Sequence, residues 1–211
     1  MGGDVTGNGI YESVKARIVA RELFSGKRIS VEPLADQLFV SNTPVREALI
    51  RLAAERMIKD IPKAGFFIKE ISESEMRDLY TLQQLLLDWC LSVIRVDGRV
   101  PGMLKPPNLC DELGQSEEVS PQKAVDVMGR LFLHISRQSG NADVIHMVGN
   151  INDRTHYIRK KEHEALGNAD QALRGLCRTY HQKDFGKLRE DLNAYFRDRI
   201  EGLSDLLRFL T

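Results

Sequence analysis

Cysteine is scarce in this 211-residue chain, with three in all. Cys90, Cys110 and Cys177 are odd in number, far apart and without a Cys-x-x-Cys pair, which excludes a disulfide framework and a zinc knuckle. No apolar run approaches the ~18 residues of a membrane span, and Met1-Gly2-Gly3-Asp4 lacks the apolar core of a signal peptide. These absences point to a reducing, cytoplasmic compartment and to no membrane partner. Net charge is also lacking, since 30 Lys+Arg balance 30 Asp+Glu. Splitting the chain changes little: residues 1–70 hold 11 basic against 9 acidic groups, the remainder 19 against 21. Any basic surface must therefore be local. There is no P-loop, no GxGxxG, no nucleophile–base pair and no metal-ligand spacing, so nothing in the residues supports an enzyme. Cys177 lies near Arg178 and His181, but a lone Cys on an amphipathic helix reads as a small buried hydrophobe.

What is present is periodicity. Ile10, Val14, Ile18 and Leu23 recur at helical spacing, and Ser25-Gly26 ends that helix. A short helix is predicted over Pro33–Leu38, and a second from Pro44 to about Glu55, with Thr43 as cap and Pro44 in the first turn. Val45, Ala48, Leu49 and Leu52 form one apolar stripe on it. The period then changes: Met57–Ile61 and Phe66–Lys69 read as two strands around Pro62-Lys63-Ala64-Gly65. After Lys69 the chain is helical, from Ser72 to about Ile94 and then over 122–138, 142–163, 168–182 and 185–210. Loop chemistry fills 97–121, a connection long enough to hold one short helix. The fold class is mainly α, a winged helix-turn-helix of three helices and a β-hairpin over residues 1–70, followed by an all-α bundle over 71–211.

The segment Leu34-Ala35 through Val40-Ser41-Asn42-Thr43-Pro44-Val45-Arg46-Glu47-Ala48-Leu49 resembles the helix-turn-helix of the GntR family of bacterial repressors, and Lys63-Ala64-Gly65-Phe66-Phe67-Ile68 resembles that family's wing. The resemblance covers roughly residues 10–70 and implies sequence-specific binding to double-stranded DNA. Ser41, Asn42, Thr43 and Arg46 lie at the end of the second helix that enters a major groove. Hydroxyls and helix-start N–H groups suit phosphate oxygens, and Arg46 suits a guanine edge. Lys63 and Gly65 form a wing tip able to approach the DNA backbone. Each residue singly also has a plain reading: Thr43 and Pro44 cap a helix, and Arg46 can pair with Glu47 or Glu55. It is the joint pattern that favours DNA. Two departures stand out: Asn42 replaces a common basic residue, and Glu55-Arg56 stand where relatives place a glycine after the recognition helix.

Ser72–Tyr80, the stretch Ile135–Asn141 and the turn Lys183-Asp184 resemble, more loosely, the FCD-type effector domain of the FadR branch of that family. Many such domains hold a divalent metal through one Asp and three His. In register with Asn141 and Asp184, those positions are Met128, Phe132, Leu173 and Tyr195, which supply no suitable donor set. No metal and no cofactor is expected, a rebuilt site using His134, His156 or His163 being the competing reading. Arg159, Lys160, Lys161, Glu162 and Glu164 around His163 argue that it is exposed. Gln83 and Leu87 fall where the family has inward charged residues, so Gln83, Leu87, Met128, Phe132, Leu173 and Tyr195 are the expected pocket, an apolar one. The resemblance implies a cytoplasmic homodimeric repressor or activator on a pseudo-palindromic operator, with DNA affinity set by a small-molecule effector. The alternative is a winged helix used for protein contact, with no DNA role.

Overall fold

The computed structural model describes residues 7–20, 26–94, 109–113, 119–165, 167 and 169–210. The end of the first helix at Leu23-Ser25 and most of 97–121 lie outside the described residues. The chain divides into two compact units, Met1–Ile71 and Ser72–Thr211. It is mainly α, a winged helix-turn-helix followed by a helical bundle.

The first unit contains α1 (Gly7–Val19), α2 (Val31–Leu38), α3 (Asn42–Ala54), β1 (Ile58–Ile61) and β2 (Gly65–Ile68). Its core joins Ile10, Tyr11, Val14 and Ile18 of α1, Leu34 and Ala35 of α2, and the α3 stripe Val45, Ala48, Leu49 and Leu52. β1 and β2 pair antiparallel, Ile58 opposite Ile68 and Ile61 opposite Gly65. A third edge was not legible in the sequence. Residues 26–29 run along β2: Ile29 N–H donates to the Phe66 carbonyl at 2.8 Å, and Ile68 N–H to that of Lys27 at 3.1 Å. A segment of Gly-Lys-Arg-Ile carries too little alternation to read as a strand. Ser41, not Thr43, stands at the N-cap of α3, so the helix starts two residues before Pro44. α1 and α3 are clasped by Tyr11, whose hydroxyl donates to Glu55 Oε2 at 2.5 Å while the Arg51 guanidinium lies 3.7 Å from its ring.

The C-terminal ends of α2 and α3 are both closed without glycine. Phe39 (φ 56°) and Arg56 (φ 60°) occupy the left-handed region. Around Phe39, Val40 N–H reaches the Ala35 carbonyl and Phe39 N–H that of Asp36; around Arg56, Met57 and Arg56 N–H reach those of Leu52 and Ala53. These are paired Schellman bonds, which satisfy the last carbonyls of α2 and α3. A side chain in this region costs roughly 1–2 kcal/mol.

The second unit contains α4 (Glu73–Val93), α5 (Leu109–Leu113), α6 (Pro121–Gln138), α7 (Ala142–Ala165), α8 (Ala169–His181) and α9 (Phe185–Leu210). The short α5 lies within the span read as loop. Ser72 and Ser120 cap α4 and α6 through their hydroxyls, and Pro121 takes the first turn of α6, where no N–H is needed. The centre of the bundle is aromatic: Phe196 lies 5.2 Å from Tyr195, 5.6 Å from Phe132 and 6.3 Å from Tyr80, ring centre to ring centre. Into it α7 and α9 bring charge. Glu162 is 4% exposed, accepts from the Tyr80 hydroxyl at 2.8 Å, and faces Arg199 Nε at 3.9 Å. Burial pushes the Glu162 carboxyl up to about 7 against the opposing pull of Arg199, the Tyr80 hydrogen bond and Arg159.

Two outcomes follow for stability. Phe39→Gly and Arg56→Gly each relieve left-handed strain, partly offset by glycine's extra freedom when unfolded, and raise the N-terminal thermal midpoint by about a few degrees. Phe39→Ala and Arg56→Ala do not; thermal melts in which glycine is no better than alanine contradict this. For Glu162, a folded pKa raised above the unfolded value means that the folded chain holds its proton more tightly. Stability is then fully present below about pH 4.5 and is lost as pH rises towards 7. Melts of Glu162→Gln at pH 4.5–7 are expected to lack that decline, and a parallel decline in both proteins contradicts the assignment.

Candidate functional site

Because Val45, Leu49 and Leu52 are completely buried, the opposite side of α3 faces outward, and the first residues of the helix follow. Ser41, Asn42, Thr43 and Arg46 are all exposed at this one helix end. The Ser41 hydroxyl makes no capping bond, so the start of α3 keeps both its N–H groups and this hydroxyl available to an anion. The two arginines of α3 differ. Arg51 is held by Glu55 at 3.3 Å, by the Tyr11 ring and by Asn8 at 3.4 Å. Arg46 has no hydrogen-bond or ion-pair partner among the described residues; Glu55, one of its candidate partners, is occupied by Tyr11 and Arg51.

The wing turn places Lys63 at φ 66° and Gly65 at φ 99°. The Arg28 guanidinium lies against this turn, its Nε 3.4 Å from where a Cβ at Gly65 would stand, an ordinary contact distance; it is the positive φ that favours glycine there. Arg28 is thus a further basic group at the wing turn, exposed like Lys63 beside it. No motif marked Arg28; it joins the wing only because residues 26–29 pair with β2.

The second unit holds a half-open pocket with ≈ 20 Å³ of interior space, lined by Met128, Leu173 and Tyr195 together with Arg159, Glu162, His163 and Arg199 and three alanine and valine side chains. Of the expected pocket residues, Met128, Leu173 and Tyr195 line it. Phe132 is fully buried with its ring centre 6.0 Å from that of Tyr195. Gln83 and Leu87 are fully buried but do not line it; Gln83 instead donates to Asn152 Oδ1 at 2.8 Å. The expectation of an apolar interior is corrected, because two guanidiniums and a carboxyl lie at its wall. Arg199 stacks 3.6 Å from the Tyr195 ring, and Arg159 Nη2 donates to the Asn152 carbonyl at 2.8 Å.

Sequence reading missed Arg159, Glu162 and Arg199, although a signal existed. Val148, Ile151, Asn152, Thr155 and Ile158 make the inward stripe of α7, and Arg159 and Glu162 continue it in phase. Arg199 likewise continues the stripe Leu188, Leu192, Tyr195 and Phe196 of α9. Charge was taken as a sign of exposure and the phase was not weighed. The same error affected His163, which is 11% exposed and faces Asp170 Oδ1 at 2.7 Å.

Met128, Phe132, Leu173 and Tyr195 give a thioether, a phenyl ring, an alkyl chain and a phenol whose proton is held more tightly by burial. That set does not fit a divalent ion. His134 and His156 are partly buried on α6 and α7, with His156 Nε2 3.3 Å from Gln122. Among the described residues, no three His, Cys, Asp or Glu side chains gather as ligands.

Residues 6–68 match the family described as "Bacterial regulatory proteins, gntR family". An HTH-type transcriptional regulator of Streptomyces ambofaciens is 35% identical over 36% of this chain and 32% of its own length. The Nta operon transcriptional regulator of Aminobacter aminovorans is 29% identical over 64% of each chain. The regulator McbR of Escherichia coli is 25% identical over 82% of this chain and 77% of its own. The solved structure of McbR superposes with a TM-score of 0.70 over 97% of this chain and 98% of that one, at 20% identity. The chain therefore spans from about a third to about two thirds of the first two relatives. The McbR fold, by contrast, is shared along nearly its whole length. The N-terminal unit is a winged helix-turn-helix, and its residues 6–68 are similar to the gntR family of bacterial regulatory proteins.

Proposed function

We propose that the chain is a homodimeric, cytoplasmic transcriptional regulator that binds a pseudo-palindromic operator in double-stranded DNA and responds to a small effector in its C-terminal unit. The observation that carries the DNA reading is the exposed end of α3, where Ser41, Asn42, Thr43 and an unpartnered Arg46 stand together on a helix seated by its buried stripe. Arg46 can pair with a guanine edge in the major groove, Asn42 with an adenine, and the hydroxyls with phosphate. Lys63, Arg28 and the close approach allowed by Gly65 supply backbone contacts from the wing.

The dimer reading is supported by α4. Leu82, Leu85, Trp89 and Val93 are 36%, 63%, 42% and 41% exposed and fall on one stripe of that helix. A continuous exposed apolar stripe of this kind is what a second subunit covers. The dimer would set two recognition helices on half-sites about one helical turn apart. The role of effector site falls to the cavity at Met128, Leu173 and Tyr195, where expected pocket residues meet buried charge.

An operator enriched from random duplexes with the full chain tests the DNA reading. Arg46→Ala is expected to lose about 1–3 kcal/mol on that sequence and to relax preference at one base position. Lys63→Ala is expected to weaken all sequences alike and lower the salt slope by about one. Failure to enrich any sequence, together with affinity that ignores salt, contradicts the proposal and favours a winged helix used for protein contact.

A further inference from the structure

On α3 the buried side chains Val45, Ala48, Leu49 and Leu52 fix which residues stand on the other side. At about 100° per residue, Ile50 falls roughly 20° from Thr43 and roughly 40° from Arg46, between the two in phase. It is 53% exposed, and it stands one helical turn beyond Arg46. Thr43 and Arg46 bring a hydroxyl and a guanidinium to this face. Ile50 brings neither donor, acceptor nor charge.

A single exposed isoleucine is ordinary on a protein surface. This one is set apart by its place, on the face that carries Thr43 and Arg46 and ends at Asn42. Exposed helix positions are best filled by straight-chain residues, which form helix more readily than isoleucine. The β-branch also holds χ1 in one rotamer on a helix, so Ile50 offers a fixed apolar surface that loses little freedom on contact.

The floor of a major groove offers donors, acceptors and one apolar group, the 5-methyl of thymine. That methyl stands out from the base edge, within reach of a side chain shorter than arginine. A helix about 10–12 Å across fits a groove about 12 Å wide. Ile50 lies about 6 Å further along the axis than Arg46, and stacked bases are about 3.4 Å apart. Its partner therefore falls within about two base pairs of the one that Arg46 reads.

We propose that Ile50 is a specificity-determining residue, selecting thymine through its 5-methyl group beside the base pair read by Arg46. This rests on the DNA-binding function proposed above and extends the set of base-reading residues beyond the polar end of α3. Burial of one methyl against Ile50 corresponds to about a three- to fourfold preference per half-site.

The test uses the full chain and the operator it enriches. Arg46→Ala first locates the base pair that Arg46 reads. Each thymine within three positions of it is then replaced singly by deoxyuridine, which removes the methyl and keeps the pairing with adenine. One replacement is expected to weaken binding of the unaltered protein about three- to fourfold. Ile50→Ala is expected to bind the thymine and uracil operators equally, and Ile50→Val to keep most of the difference. A purely structural role for Ile50 would instead lower affinity for both operators alike and leave their ratio unchanged. That result overturns the assignment, as does an operator whose uracil replacements are all without effect or that has no thymine in reach. In each of those cases salt-dependent binding to an enriched operator leaves the regulator function standing. Failure to enrich any operator overturns that function and the role of Ile50 with it.

Discussion

Val45, Leu49 and Leu52 of α3 are completely buried, and this seam sets what the first unit can present to a partner. Each such side chain contributes about 1.5–3 kcal/mol of burial, enough to hold a short helix in one rotation about its axis. With that rotation fixed, 3.6 residues per turn place Arg46 and Ile50 on the outer side and leave Asn42 and Thr43 at the projecting end. The Tyr11 clasp on Glu55 and Arg51 ties the other end of α3 to α1. One arginine, Arg51, is thereby tied into the structure, while Arg46 stays exposed. The wing depends on a second, smaller constraint: pairing of residues 26–29 with β2 carries Arg28 to the glycine at its tip.

The second unit is organised around the opposite problem, charge inside an apolar bundle. Tyr80, Glu162, Arg199 and Arg159 link α4, α7 and α9 through one hydrogen bond, one long ion pair and stacking on the Tyr195 and Phe132 rings. Hydrophobic residues of equal volume often stabilise a core more than such a group does. A buried centre that is only partly satisfied therefore reads as a site and not as a device for stability. It stands at the aromatic cluster of Tyr80, Phe132, Tyr195 and Phe196.

Much of this was legible in the chain itself. The stripe of α3, the change to short strands after Arg56 and the loop chemistry before Pro121 each reflect a local periodicity or a single punctuating residue. What was missed depended on long-range partners. Ser41 displaces Thr43 as cap because backbone geometry, not side-chain chemistry, decides where the helix begins. Phe39 and Arg56 adopt left-handed turns that their types do not favour, because the Schellman bonds of α2 and α3 require it. Arg28 gains its place from a strand pairing with no sequence signature. Arg159, Glu162 and Arg199 were passed over because charge was weighed above phase, although all three continue inward stripes.

The central claim is that two copies of α3 read DNA through their exposed ends. Hydroxyl-radical footprinting of the full chain on its selected operator tests it most directly. The account predicts two protected half-sites about 10 base pairs apart, with protection on flanking backbone from the wing that weakens in Lys63→Ala. A single protected stretch without two-fold symmetry, or a footprint unchanged when Asn42 and Arg46 are replaced by alanine, would contradict it.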